Sequence, residues 1–371
     1  MRLGYVLRYH PTRSETFVDR EIAELRRRGF QVDVVGLGAR GDAPDDPRTL
    51  RPPRGLDARW ASGGGSGAGR RALRGGVALG AKGAWRAAWL ATLAVRRGWE
   101  RVVVHFAGEA AALARVAAEA VGIPCQVTTH AVDLFRPRPD LRALLAAASP
   151  LVTVCEHHRR WIAERYGLAA EVVRCGVPLD VPAASPATAR QVVCVARDVP
   201  KKGLDDLVAA TRLLGVPLRL ISDAHRLGGP GVLVGPLAAS EVPAVLARSA
   251  VFALPCRVVP DGDRDGLPVA VLEAMAAALP VVTTDVAGLP EAVDQDTGWV
   301  VPAGDPSAFA HALRDALASP EERAARGRRG RIRLEERGWT VAAQVDSLCT
   351  LWSGAPGHGR NVATSPQPER V

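Results

Sequence analysis

Asp261-Gly262-Asp263-Arg264-Asp265-Gly266-Leu267-Pro268 runs into Val269-Ala270-Val271-Leu272-Glu273-Ala274-Met275, and a second apolar run, Val281–Thr284, follows. Polar loop, helix, then short β-branched run is a loop–α–β unit, and proline suits the first turn of such a helix. That placement predicts that Gly266 and Leu267 present backbone N–H groups at a helix N-terminus, an anion site reinforced by the helix dipole. Asp265 precedes the helix and Glu273 lies about two turns into it. Eight residues at about 1.5 Å each separate the two acids by roughly 12 Å. The paired carboxylates of a retaining glycoside hydrolase stand only about 5–5.5 Å apart. Asp265 and Glu273 therefore suit two ends of one extended ligand.

The alternation extends in both directions from this block. Upstream, strands fit Val192–Ala196, Leu218–Ser222, Val232–Val234 and Val251–Leu254, with helices over Gly203–Leu214 and Glu241–Ser249. Downstream, helices fit Ser307–Ala318 and Glu321–Arg337. Residues 178–190 carry three prolines and read as a linker. Before the linker the pattern occurs a first time. Strands fit Leu3–Leu7, Gln31–Gly36, Val102–His105, Gln126–Thr129, Leu151–Cys155 and Glu171–Arg174. Helices fit Ser14–Arg28, Glu109–Val121, Leu141–Ala148 and Glu156–Tyr166. Strand and helix in alternation specify parallel sheets wrapped by helices. The predicted architecture is α/β, with two Rossmann-like domains facing across a cleft at the C-terminal edges of their strands. Residues 1–180 form the first domain, 186–337 the second, 338–353 a helix returning to the first, and 354–371 a disordered tail. Residues 61–69 (ASGGGSGAG) read as a flexible loop.

Bulk properties narrow the function. The 371 residues carry a net charge of +9, concentrated in the first half: 28 basic against 18 acidic residues over 1–180, and 20 against 21 over 181–371. Such asymmetry fits an anionic partner of the first half, a membrane surface or an acceptor, or an arginine-rich composition with no partner. No aromatic platform or binding motif accompanies the charge, which argues against nucleic acid. The six cysteines are widely spaced, as in reduced thiols of a cytoplasmic protein, with no disulfide frame and no zinc site. No uncharged apolar stretch reaches the ~18 residues that span a bilayer. The helix predicted over Lys82–Arg97 sets Trp85, Ala88, Trp89 and Leu93 on one face among basic residues. It is either an interfacial helix or one that packs this face on the sheet.

Gly36-Leu37-Gly38-Ala39-Arg40-Gly41 has the spacing of a dinucleotide fingerprint. The acids and prolines of Asp42–Pro47 cannot open the helix that the fingerprint needs, and this demotes a dehydrogenase.

Two further segments carry chemistry. In Arg197-Asp198-Val199-Pro200-Lys201-Lys202-Gly203, at a strand–helix turn, stand two of the three lysines of a chain with 48 basic residues. Arg197 and Lys202 together suit a diphosphate, fork and point charge. In Thr128-Thr129-His130-Ala131-Val132-Asp133, a histidine and an acid sit at a strand C-terminal edge, where a donor sugar can be met.

These segments together resemble the family-4 glycosyltransferases of GT-B fold, of a polysaccharide-biosynthesis-like branch. The resemblance also takes in His10-Pro11-Thr12-Arg13-Ser14-Glu15-Thr16-Phe17-Val18, Val104-His105-Phe106-Ala107 and Thr284-Asp285-Val286-Ala287-Gly288-Leu289-Pro290-Glu291. It implies that Asp265 sits by the donor sugar, where glutamate is commoner, and that Glu273 holds the ribose hydroxyls. Arg197 and Lys202 would bind the diphosphate, His130 would lie near the sugar, and Gly266, Leu267 and Glu291 would add donor contacts. Ser14, Glu15 and His105 would lie on the acceptor side. The implied reaction is transfer of a sugar from a nucleotide-sugar donor with retention, without cofactor or metal. Asp261-Gly262-Asp263 then reads as the leading loop of the donor motif. The acceptor stays open among lipid-linked saccharide, polysaccharide and natural product. The alternatives are a GT-B-like nucleotide-sugar epimerase and a non-catalytic nucleotide-sugar-binding module. The protein is expected in the cytoplasm or at the inner face of the membrane.

Overall fold

The computed structural model describes residues 1–38, 41, 46–53 and 66–354. The chain divides into two compact units. Of the described residues, the first comprises those within Met1–Val154, His158–Val173 and Ser347–Gly354; the second comprises Cys155–His157 and Arg174–Asp346.

The first unit is built on seven parallel strands: β1 (Arg2–Tyr9), β2 (Gln31–Gly38), β3 (Thr49–Leu50), β4 (Arg101–His105), β5 (Cys125–Thr129), β6 (Leu151–Thr153) and β7 (Glu171–Val172). Their order is β3-β2-β1-β4-β5-β6-β7, the doubly wound arrangement that reverses between β1 and β4. All five residues of β4 and of β5 are buried, as strands covered on both faces must be. Gly4 lies under Trp99: a Cβ there would stand 2.3 Å from the indole. Trp99 is thereby seated against β1 and donates from Nε1 to Asp33 Oδ2 at 2.8 Å.

The second unit has six parallel strands: β8 (Val192–Val195), β9 (Leu218–Ile221), β10 (Val232–Val234), β11 (Val251–Leu254), β12 (Val281–Thr284) and β13 (Gly298–Val301). Their order, β10-β9-β8-β11-β12-β13, repeats the winding of the first unit. The core gathers the strands with Leu207, Met275, Phe309 and Leu334 from the surrounding helices. The Pro320–Glu336 helix approaches closely because Gly327 leaves room: a Cβ would meet Ala278 O at 2.0 Å.

Several expectations need correction. β3, β13 and the short helices Ala131–Phe135 and Leu289–Ala292 are additional elements. The glycine-rich stretch 61–69 is not all loop: Ser66 caps a helix over Gly67–Gly75 by accepting from Gly69 N–H at 3.1 Å. Its first part, 61–65, lies outside the described residues, as do Ala39 and Arg40 of the fingerprint-like spacing, 42–45 of the stretch after it and 355–371 of the expected tail. The tryptophan-bearing helix spans Gly80–Arg97 and packs against the helices Gly67–Gly75 and Glu109–Val121. Trp89 and Leu93 are buried in the first-unit core, so this face is spent on packing. The Val341–Ser353 helix belongs to the second unit through Asp346 and to the first from Ser347. There Trp352 donates from Nε1 to Gln126 Oε1 at 2.7 Å. Among the described residues, no helix is long and apolar enough to cross a membrane.

Candidate functional site

In the second unit the chain leaves β8 through Arg197 and turns once through the 3₁₀ segment Pro200–Lys202. It enters the Leu204–Leu213 helix at Gly203, whose φ is +63°. A Cβ at Gly203 would stand 2.1 Å from Pro255 O, so the turn is locked against the end of β11. Arg257 ties the two loops together, donating to Pro200 O at 2.9 Å and to Asp206 Oδ2 at 3.1 Å. On the outer side, Asp198 N–H donates to Asp223 Oδ1 at 3.0 Å, and Arg226 bridges Asp198 and Asp205.

This scaffold buries both lysines against the aspartates of the opening segment. Lys202 Nζ lies 2.6 Å from Asp265 Oδ2, and Lys201 Nζ lies 2.9 Å from Asp263 Oδ1 and 3.6 Å from Asp265 Oδ1. Cys256 Sγ lies 3.5 Å from Asp265 Oδ2. Burial by itself pushes the Asp265 carboxyl up, but the charges of Lys202 and Lys201 outweigh it and hold the acid below its usual range. Burial likewise pulls the Lys202 ammonium down, and Asp265 more than restores it. Burial, then the Asp265 charge, pushes the Cys256 thiol well up, leaving it an inert neutral neighbour. Arg197, by contrast, is exposed.

The helix after this segment spans Val269–Ala276, and Pro268 is its extended cap residue with ψ 126°, not part of its first turn. The leading N–H groups are therefore those of Val269 and Ala270, and Gly266 and Leu267 lie upstream of them. Gly266 O accepts from Gly288 N–H at 3.0 Å, and Leu267 is buried in the core. Only the last four of the eight steps from Asp265 to Glu273 are helical, so the two acids are not separated by two straight helical turns. Glu273 is half-buried on that helix.

Asp261 Oδ1 accepts from Asp263 N–H at 3.1 Å, and Asp263 is paired with Lys201, so this Asp-Gly-Asp closes a turn. Among the described residues no group of three or more His, Cys, Asp or Glu is placed to hold a metal ion. The Glu291 carboxylate is engaged internally. It accepts from Glu156 N–H at 3.0 Å, His157 N–H at 2.8 Å and Arg174 at 2.7 Å.

In the first unit, the ends of β4 and β5 bring His105 and His130 together, His105 Nδ1 lying 3.2 Å from His130 Nε2. On its other side, His105 Nε2 lies 3.1 Å from Glu21 Oε1, which also accepts from Tyr5 Oη at 2.6 Å. Phe17 and Phe106 enclose the pair, with ring centroids 5.1 and 4.3 Å from that of His130. Phe106 has a φ of +69°, an uncommon backbone for a bulky residue and one that marks functional turns. Burial, then His105 and His158, hold His130 well below the ordinary imidazole range. Asp133 accepts from His130 N–H at 2.9 Å, and burial pushes its carboxyl up to about 6. Ser14 is exposed, and Glu15 stands at the cap of the Thr16–Arg27 helix. Their loop is anchored by His10, which bonds Thr49 Oγ1 at 2.8 Å and Asp19 Oδ1 at 2.9 Å.

Glu21 and Tyr5 escaped the sequence reading. The signal for Glu21 was present: it shares the buried face of its helix with Phe17, Val18, Ile22 and Leu25. An acid in an apolar stripe demands a partner.

Two doubly wound units with these sites define a GT-B glycosyltransferase fold, and the comparisons with known proteins agree. The model of Glycosyltransferase Family 4 matches residues 14–181, and that of Glycosyl transferases group 1 matches 189–319. The chain belongs to glycosyltransferase family 4. It is 37% identical over 150 residues to WcaL of Escherichia coli (strain K12), which bears the name of a colanic acid biosynthesis glycosyltransferase; the match takes in 36% of this chain and 37% of WcaL. It is 34% identical over 218 residues to the GDP-mannose-dependent alpha-(1-6)-phosphatidylinositol monomannoside mannosyltransferase of Mycolicibacterium smegmatis, covering 54% of this chain and 48% of that one. These matches span about a third to a half of the curated relatives' length. Among solved structures, Anabaena HepE in complex with UDP-glucose superposes with a TM-score of 0.72 at 15% identity, over 96% of this chain and 100% of that one.

Proposed function

We propose that this chain transfers a sugar from a nucleoside-diphosphate sugar to an acceptor hydroxyl, with retention at the anomeric carbon and without a metal ion. The observation that carries the reading is the buried Lys202–Asp265 pair at the strand edge of the second unit, between exposed Arg197 and the start of the Val269–Ala276 helix. In this reading Arg197 and Lys202 take the diphosphate, aided by the helix N–H groups. Asp265 meets the sugar and Glu273 the ribose hydroxyls. Glu291, its carboxylate already engaged by backbone and Arg174, orders the second unit around them.

The donor C1–O bond breaks toward the diphosphate, whose growing charge the cationic groups stabilise in place of a divalent cation. The acceptor oxygen bonds to C1, and its proton passes to the departing phosphate. In the first unit we assign His130 to a sugar hydroxyl, and His105, Ser14 and Glu15 to the acceptor side. The two relatives' names point to glycan or glycolipid acceptors, in keeping with a cytoplasmic enzyme in peripheral contact with an anionic membrane.

A thermal-shift screen with UDP, GDP, ADP and dTDP, each with and without EDTA, tests the donor. One nucleotide should raise the melting temperature, and the rise should survive EDTA. With the donor so identified, Asp265→Ala and Glu273→Ala should each abolish transfer in a folded protein. Transfer that survives both substitutions overturns the site assignment, and a nucleotide shift that EDTA abolishes overturns the metal-free reading.

A further inference from the structure

With His105 neutral, the buried row Tyr5–Glu21–His105–His130 has one consistent hydrogen-bond polarity. Glu21 is 2% exposed and His105 is 2% exposed. A carboxylate only accepts, so Glu21 Oε1 takes the Tyr5 hydroxyl proton at 2.6 Å and the His105 Nε2–H at 3.1 Å. A neutral His105 that donates from Nε2 has a lone pair on Nδ1, and that atom faces His130 Nε2 at 3.2 Å. His130 must then donate from Nε2, which leaves Nδ1 as its acceptor for the Asp133 N–H of the capping box. Rotation that would undo this order is blocked on both sides. Phe17 lies edge-on to His105 at 5.7 Å and beside His130 at 5.1 Å, and Phe106 lies against His130 at 4.3 Å.

We propose that Glu21 is a positioning residue that fixes the tautomer and ring orientation of His130 through His105, with Tyr5 completing the carboxylate's hydrogen bonding. The consequence is positional: with Nε2 on His105 and its side chain accepting from the Asp133 N–H of the capping box, His130 presents a ring of fixed orientation. Glu21 itself touches no ligand. An acid that orients a histidine through its far ring nitrogen is an established device for selecting a tautomer. The inference deepens the assignment of His130 to a sugar hydroxyl, yet its readout needs no substrate.

The test is nitrogen-15 imidazole spectroscopy on the full chain, with His105 and His130 assigned by His105→Gln and His130→Gln. Both rings should show the Nε2–H tautomer in the wild-type protein. A wild-type His130 carrying its proton on Nδ1 overturns the proposal before any variant of Glu21 is made. In Glu21→Gln and in Glu21→Leu the His130 signals should shift to a mixture of tautomers, with Tyr5→Phe giving a smaller change. His130 signals unchanged in a folded Glu21→Gln or Glu21→Leu also overturn it. Should both Glu21 variants fail to fold, the wild-type tautomers and Tyr5→Phe still decide. If transfer is never found but the tautomers behave as stated, the activity reading fails and this one stands.

Discussion

Lys202 Nζ and Asp265 Oδ2 lie 2.6 Å apart, with side chains only 11% and 12% exposed. Two opposite charges withdrawn from water depend on one another, and without Lys202 the Asp265 carboxylate keeps only the longer contact to Lys201 at 3.6 Å. Lys202→Met should therefore destabilise the second unit by about 1–3 kcal/mol. The double variant Lys202→Met/Asp265→Leu should recover most of that loss while remaining inactive. Urea denaturation of the single and double variants measures this coupling. Additive losses would show that the pair is not coupled.

Arg197 is the counter-example on the same loop. It is exposed, so Arg197→Ala should leave stability within about 0.5 kcal/mol of wild type. If it binds the diphosphate, a charge-assisted contact of about 1.5–3 kcal/mol is lost. Calorimetric titration with the nucleoside diphosphate should then show affinity roughly 10-fold to 100-fold weaker.

Glu291→Ala removes the acceptor for two backbone N–H groups and the partner of Arg174. Lost capping and a lost part-buried ion pair should cost about 2–3 kcal/mol. The melting temperature should fall while the donor dissociation constant stays near the wild-type value. A weaker donor affinity at unchanged stability would instead make Glu291 a donor contact.

Asp133 gives the first unit a pH signature. In the unfolded chain it ionises near the ordinary value of about 3.9; in the fold burial raises it to about 6. Between those values the folded state holds the extra proton. Its contribution to stability is complete below about pH 4 and is lost as pH rises through about 6. Asp133→Asn abolishes this dependence, so between pH 4 and 7 it should gain roughly 2–3 kcal/mol relative to wild type. Urea denaturation of both proteins across that range checks it. A pH-independent difference would assign Asp133 an ordinary pKa.

Much of this was legible in the chain because local patterns carried it. The helices Glu109–Val121 and Glu156–Tyr166 and the strands Val232–Val234, Val251–Leu254 and Val281–Thr284 follow from apolar periodicity and their bounding glycines and polar residues. β3 has two residues, and pairing with β2 rather than composition defines it, whereas Trp299-Val300-Val301 of β13 carried a strand signal that the sequence reading passed over. The helix over Gly67–Gly75 opposes its own propensity; packing on Gly80–Arg97 and Glu109–Val121 holds it in place. Pro268 illustrates the limit of a residue rule: proline suits a first turn, yet here it precedes the helix with the extended ψ usual for a cap residue.

The sequence by itself determined two successive strand–helix alternations of α/β type and which strand–helix junctions carry charge. Residue type and spacing suffice for these, since they depend on backbone freedom and apolar period. Only the tertiary structure decided which charges meet. Lys202 and Asp265 are 63 positions apart, and Glu21 and His105 are 84 apart. Their protonation and stability depend on burial and on distances of about 3 Å, which parallel strand order creates between residues remote in the chain.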